Sequence, residues 1–291
     1  MDNIQEWSKI KLKILDYYLD VYRNIMKSTE EKYSVKWNYT YIDAFCGPGL
    51  HIDDDKIIDG SPLIAIKKDF FNEYIFIDTD VKKMNNLKKT IQTNIDVDLK
   101  NIEYIKMDSN RYILNNLDIR NSYKYVCFLD PYGSHLEWQV VEKLVQTENA
   151  DLIIHFSIMD LRRNLENESS KERIDKFFGS TKWCGIVHTD KETLFGKQEE
   201  KITDYENNLL NHYIENIRSL TKKIFVTEKP LKLTNSKNAS LYYLIFTSPK
   251  EAGLKVATQA IKKFQKEAND VPKKYKNRMD SSNMEPDNGL F

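Results

Sequence analysis

The chain has 291 residues, 41% hydrophobic and 30% charged, the balance of an ordinary globular protein of one large domain or two small ones. Lys plus Arg and Asp plus Glu both number 44, so the formal net charge is zero and there is no global basic field for nucleic acid, although a local patch is compatible with that total. The N-terminus is polar and no apolar run reaches ~18 residues, so nothing resembles a signal peptide or a membrane span, and the expectation is a soluble cytoplasmic protein.

The first element is a helix over residues 3–27, where Ile4, Trp7, Leu15, Tyr18, Tyr22 and Ile25 recur near helical spacing. Strands and helices then alternate. Strands are expected at 39–45, 74–78, 102–107, 125–130, 151–157, 224–229 and 241–247, and helices at 62–71, 81–92, 135–147, 161–178, 203–219 and 250–268. Such alternation builds a mostly parallel sheet with helices on both faces. The polar stretch Thr234 to Ser240 joins the last two strands as a hairpin, which turns the final strand antiparallel. The expectation is therefore an α/β, doubly wound, Rossmann-like sheet of about seven strands with its last strand antiparallel, preceded by a helix. One domain spans 1–271, with a charged helical insertion at about 161–222 and a flexible polar tail at 272–291. A second, shorter insertion at 50–60 precedes a helix whose start reads as Ser61 at the N-cap and Pro62 in the first turn.

Tyr41 to Gly49, YIDAFCGPG, is the most informative segment. An apolar strand ends in Asp43, and a turn holding Phe45, Gly47 and Gly49 follows at once. Glycines let backbone approach a ligand closely, and ligands of open α/β sheets bind at the carboxyl ends of the strands. The pattern D-x-F-x-G-x-G differs from the dinucleotide fingerprint. It resembles the first motif of S-adenosylmethionine-dependent methyltransferases, which implies that Asp43, Phe45, Gly47 and Gly49 hold the methionine end of that cofactor. The alternative is a plain strand and glycine turn.

Three more acids end strands. Asp78, in FIDTD, is the candidate acceptor for ribose hydroxyls, with Asp80 in reserve. It falls later than the ~20 residues usual after such glycines, and the inserted loop accounts for the excess. Either acid can also cap the helix starting at Val81. Asp108 is a candidate acceptor for the adenine amino group, or an N-cap. Phe128 to Gly133, FLDPYG, ends the fourth strand. It resembles the [D/N/S]-P-P-[Y/F/W] motif of methyltransferases that act on exocyclic amino groups of bases, with one proline where that motif has two. On that resemblance Asp130 and Pro131 hold the amino hydrogens, favouring positive charge on nitrogen during transfer, and Tyr132 stacks on the base. The competing reading is a tight X-Pro-x-Gly turn.

Other residues point to plainer roles. Cys46, Cys127 and Cys184 have neither disulfide nor zinc spacing, and Cys46 reads as a small residue beside a ligand. Asp53, Asp54 and Asp55 read as a solvated acidic loop sooner than a metal site. His135 and His155 are general-base candidates by type, though His155 lies in an apolar strand and reads as a core histidine. Lys82, Lys83, Lys88 and Lys89, and Lys262, Lys263, Lys266, Lys273, Lys274, Lys276 and Arg278, are solvated helix faces or tracks for a phosphate backbone.

Four segments taken together, YIDAFCGPG, DGSPL at Asp59 to Leu63, FIDTD, and FLDPYGSHLEW at Phe128 to Trp138, resemble the three-Cys-motif partner protein family. The closing segment Tyr242 to Lys262 and the opening helix with Trp7, Lys11, Leu15 and Tyr18 are similar to that family too, so the resemblance covers about residues 5 to 265. It implies a class I methyltransferase fold and a partner, an iron–sulfur radical-enzyme-like protein that carries the three cysteines of the name. A weaker similarity exists to a family that methylates adenine in ribosomal RNA. The expected function is methyl transfer from S-adenosylmethionine to a base amino group of DNA or RNA. The rival is a non-catalytic methyltransferase-fold subunit that binds and organises the three-cysteine-motif protein.

Overall fold

The computed structural model describes residues 2–94, 101–193 and 196–282. The chain opens with β1 (Asp2–Asn3), α1 (Glu6–Tyr33) and β2 (Asn38–Asp43). The hairpin β3 (Leu50–Asp53) and β4 (Lys56–Asp59) leads into α2 (Ser61–Ile66). Next come β5 (Glu73–Ile77), α3 (Val81–Asn94), β6 (Ile102–Ile105), α4 (Ser109–Asn115), β7 (Tyr123–Leu129), α5 (Trp138–Gln146) and β8 (Ala150–Phe156). After β8 the chain forms α6 (Ile158–Asn164), α7 (Lys171–Phe178), α8 (Cys184–Val187), β9 (His188–Thr193), β10 (Gly196–Lys201) and α9 (Tyr205–Leu220). It closes with β11 (Phe225–Val226), β12 (Leu231–Thr234), β13 (Ser240–Ser248) and α10 (Glu251–Ser282).

The central sheet runs β6-β5-β2-β7-β8-β13, with β11 and β12 both along the outer side of β13. From β6 to β8 every pairing is parallel. Strand β13 is antiparallel to β8, β11 and β12. This is the expected doubly wound sheet of the class I methyltransferase type, with the sixth strand broken into two short pieces by Glu228 to Pro230. The order reverses at β2: β5 and β6 lie on one side, β7 and β8 on the other. A crevice opens at such a point, because the connections on the two sides leave toward opposite faces.

Side chains of each strand alternate between two cores. In β7, Val126 and Phe128 face the layer of α1, α2, α3 and α10, while Tyr125, Cys127 and Leu129 face α4, α5, α7 and α9. Helix α1 lies on the first face through Ile10, Ile14, Leu15, Tyr18 and Tyr22. Tyr18 also donates to buried Asp151 at 3.0 Å. That packing sets where the N-terminal end of α1 meets the carboxyl edge of the sheet.

Several expectations need correction. The 50–60 loop is a β-hairpin, and β1 adds to it as a third strand. Gly60, not Ser61, is the N-cap of α2, and its N–H donates to the Gly49 carbonyl at 2.7 Å, closing the hairpin base. The helix expected at 161–178 is two helices with a 3₁₀ turn between them, because Asn167 caps a new start. The charged insertion is not wholly helical: β9 and β10 pair antiparallel from His188↔Lys201 to Thr193↔Gly196. Helix α10 continues through Pro272 to Ser282, into the stretch read as tail. Residues 283–291 and the side chains of Lys273, Lys274, Lys276 and Arg278 lie outside the described residues. No described helix is long and apolar enough to cross a membrane.

Candidate active site

Four acids, Asp43, Asp78, Asp108 and Asp130, follow or end the adjacent parallel strands β2, β5, β6 and β7 at one edge of the sheet. A cavity of about 810 Å³ opens there. Phe45, Gly47, Asp78, Asp108, Asp130, Pro131 and Tyr132 all line it. Asp43 and Gly49 do not.

The glycine turn is pinned to both neighbouring strands: Ala44 N–H donates to the Phe128 carbonyl at 3.1 Å and Cys46 N–H to the Ile77 carbonyl at 3.0 Å. Gly47 and Gly49 have φ of +59° and +78°, where a Cβ is strained. Their surroundings differ. A Cβ on Gly47 would meet no atom within 4 Å, so it would project into open space. A Cβ on Gly49 would lie 2.4 Å from Leu87 Cδ1. Only Gly47 keeps space open on the cavity wall, and Gly49 is glycine for packing and backbone conformation. Cys46 is not beside the cavity either. It is buried with its Sγ 3.4 Å from Met84 Sδ, and burial pushes its thiol up.

Asp43 is fully buried. Burial raises its pKa to about 7, with the negative charge of Asp130 adding, while Ser61, the Phe45 backbone and Tyr41 pull it down. Asp78 accepts Gly47 N–H at 2.9 Å and Asp80 N–H at 2.8 Å, one on each oxygen. A carboxylate offers about four lone-pair sites, so acceptor capacity remains on both oxygens. Asp80 is exposed and caps α3 through Lys82 and Lys83 N–H, which makes Asp78 the ligand candidate of the pair. Asp108 caps α4 through Arg111 N–H at 2.9 Å, as the N-cap reading expected, and it also stands on the cavity wall.

On the β7–β8 side, Lys11 of α1 donates to both oxygens of Asp130 at 2.7 Å. His155 Nδ1 lies 2.9 Å from Asp130 Oδ1 and 3.3 Å from the Pro131 carbonyl. Both neighbours are acceptors, so Nδ1 carries the proton. Burial and Lys11 lower the His155 pKa against the opposing pull of Asp130, which keeps the ring neutral. Burial alone would raise Asp130, but Lys11 and His155 outweigh it and hold the carboxyl far below its usual range. Asp130 is thus an ionised acceptor facing the cavity. His155 is buried, as its strand context implied, yet it is wired to Asp130 and is not a passive core residue. Tyr242 completes the cluster, 4.4 Å from the His155 ring edge-to-face, with its hydroxyl donating to the Trp7 carbonyl at 2.6 Å.

The turn after Pro131 is held from α6. Gly133 has φ +65°, and a Cβ there would lie 2.7 Å from Asp160 Cγ. Asp160 accepts from Ser134 N–H at 2.9 Å, Ser134 Oγ at 2.6 Å and Arg173 at 2.7 Å. The result leaves Tyr132 85% exposed, an unusual state for a large aromatic ring. His135 lies on the same wall, and partial desolvation of its ring, with Arg173 nearby, lowers its pKa.

Asp53 pairs with Lys9, and no metal-binding group of His, Cys, Asp and Glu occurs among the described residues. Among the described residues Lys262, Lys263 and Lys266 of α10 do not line the cavity, and of the α3 lysines only Lys83 does. Composition and motif reading passed over Asp160, Arg163 and Tyr242 as site residues, and took Lys11 only as a point of likeness. A signal for Lys11 existed: it falls four residues after Trp7 and four before Leu15, on the apolar stripe of α1, where a lysine needs a buried partner.

No protein-family model matches the chain. No curated protein matches it. Solved structures do. A Legionella pneumophila protein of the family DUF519 shares 10% identity over 88% of this chain and 91% of that one, with a TM-score of 0.45. Trm1 from Pyrococcus horikoshii, solved with S-adenosyl-L-methionine, shares 9% identity over 88% of this chain and 58% of that one, with a TM-score of 0.46. The methyltransferase domain of bacterial CtHen1-C shares 13% over 81% and 98%, with a TM-score of 0.40.

Proposed function

We propose that this chain is a methyltransferase that uses S-adenosylmethionine and acts on an amino group of a nucleic-acid base. One observation supports this above all: the cavity at the strand-order reversal carries Gly47, Asp78 and Asp108 on its β2–β5–β6 side and ionised Asp130, Pro131 and Tyr132 on its β7 side. The first group fits the cofactor. Gly47 leaves open the volume that a side chain would fill, Asp78 would accept ribose hydroxyls, and Asp108 would accept the adenine amino group. When bound, the cofactor supplies an electrophilic methyl group.

The chain's own residues do the rest. Lys11 and His155 fix the Asp130 carboxylate, which keeps one lone-pair site for an N–H of the acceptor after the two Lys11 contacts and the His155 contact. A charged acceptor there stabilises positive charge growing on nitrogen. The Pro131 carbonyl is the second acceptor and shares its capacity with His155. Tyr132 offers an exposed ring on which an unpaired or flipped-out base stacks.

The three-cysteine-motif, radical-enzyme-like partner belongs to the proposal on the sequence resemblance alone. Its test is co-migration of the two co-expressed proteins in anaerobic size-exclusion chromatography. For the cofactor, calorimetry with S-adenosylhomocysteine should show binding that Asp78→Ala weakens by about 1.5–3 kcal/mol, the scale of hydrogen bonds to a charged group. No heat at millimolar ligand would overturn the reading. Binding with no methylated base found in DNA or RNA, with or without the partner, would favour the non-catalytic subunit.

A further inference from the structure

Among the described residues the cavity wall carries three Lys or Arg side chains, and they are in different states. Lys11 is paired with Asp130. Lys83 already interacts within the chain. Arg163 is exposed and makes no ion pair among the described residues. Its neighbour Arg162 shows the contrast, since it is held by Glu206 at 2.7 Å and the Ser240 carbonyl at 2.9 Å.

Arg163 lines the same cavity as Tyr132 and stands on the helix that holds the turn after Pro131. Helix α6 is fixed by Asp160, whose carboxylate touches the space beside Gly133 and accepts the Ser134 N–H. Arg163 follows Asp160 by three residues, so it lies one turn along the same side of the helix. Asp160 does not compete for it, because Ser134, Arg173 and Asn164 already occupy that carboxylate. A planar guanidinium with five donors and no carboxylate partner among the described residues, on the wall of the cavity that an exposed aromatic ring also lines, suits a phosphate attached to the nucleoside whose base lies on that ring.

We infer that Arg163 is a substrate-binding residue that holds a backbone phosphate of a single-stranded nucleic acid while Tyr132 stacks the target base. The inference rests on the function proposed above and adds how the strand is gripped. Global charge is zero, so grip has to come from placed cations of this kind and not from a diffuse field.

The test is titration of the full chain, loaded with S-adenosylhomocysteine, against a fluorescein-labelled single-stranded oligonucleotide of mixed sequence and against its uncharged methylphosphonate counterpart. Arg163→Gln should weaken the phosphodiester strand about tenfold and lower the salt slope by about 0.7, one phosphate contact on a single strand. It should barely change the methylphosphonate strand, the cofactor affinity or the melting temperature. Arg163→Lys should recover most of the loss. Wild-type affinity and salt slope in Arg163→Gln would overturn the inference, and so would an equal loss on both strands. Tyr132→Ala separates the failures. If it weakens the strand while Arg163→Gln does not, the inference falls and the proposed function stands. If neither variant matters, or no strand binds, both fall. A weakening confined to free nucleoside monophosphates, absent with the strand, would overturn the strand grip.

Discussion

Lys11 Nζ reaches both carboxylate oxygens of Asp130 at 2.7 Å, joining the first helix to the end of the fourth parallel strand across 119 residues of sequence. Lys11 is buried and the Asp130 side chain keeps only 21% of its exposure, through the cavity. Water therefore screens the pair little, and removing one partner leaves an uncompensated charge.

Replacing Lys11 by Met keeps the stem and removes the charge. Lys11→Met should lower stability at pH 7 by about 3 kcal/mol, the low end for breaking a buried pair because Asp130 still opens on the cavity. The sign with pH follows from the depressed Asp130 pKa. Its contribution is complete above the unfolded value near 4 and fades as pH falls through the lower folded value. Urea denaturation at pH 7, 4 and 2.5 should show the gap between wild type and variant narrowing toward acid. A constant gap would mean that Lys11 acts through packing alone.

The acceptor side makes a separable claim. Asp130→Ala should cut methyl transfer about 100- to 1000-fold, the usual loss for a donor or acceptor aimed at transition-state charge, with cofactor affinity nearly unchanged. Tyr132→Ala should weaken a nucleic-acid substrate by about 1–3 kcal/mol, the range for one stacked base, and Tyr132→Phe should be close to silent. Initial rates with labelled cofactor, alongside calorimetry, read both. Should Asp130→Ala only lower the melting temperature, with no product from any variant, the motif is structural.

The two glycines of the turn should part company. Gly47→Ala places a methyl in open space on the cavity wall at φ +59°, so it should cost about 1–2 kcal/mol of stability and also reduce cofactor affinity. Gly49→Ala drives a methyl into Leu87 at φ +78° and should cost more stability, about 2–4 kcal/mol, with little change in affinity once folded. Thermal melts and calorimetry on both variants check this, and equal affinity losses would contradict it.

Asp43 gives the opposite pH trend to Asp130. Its folded pKa of about 7 lies above the unfolded value, so it takes up a proton on folding. That contribution is complete below pH ~4 and is lost as pH rises through 7, on the order of 4 kcal/mol. Asp43→Asn has no such titration. Its stability relative to wild type should therefore increase from pH 4 to pH 8, as chemical denaturation at each pH would show. A difference that does not move between those limits would place the Asp43 pKa near its ordinary value.

The parallel sheet, the N-terminal helix, the final hairpin and the acids at the strand ends were legible in the sequence, because each rests on local pattern. Strand period, helix period, and acids or glycines that punctuate them act within a few residues of chain. The β9–β10 hairpin was missed because its charged residues carry no apolar alternation, and the pairing of β1 with β3 because two residues carry no period at all. The roles of Gly47 and Gly49 looked alike in sequence, and only the position of Leu87 separates them. What the sequence determined was which residues stand at the carboxyl ends of the strands, since those ends are set by where each local period stops. What only the tertiary structure decided was the company they keep. Whether Asp130 is ionised depends on Lys11 and His155, one on the first helix and one on β8, and whether Tyr132 stands bare depends on Asp160 holding the turn beneath it. Charge and desolvation act through space, between residues that share a neighbourhood only after the sheet has brought its strands side by side.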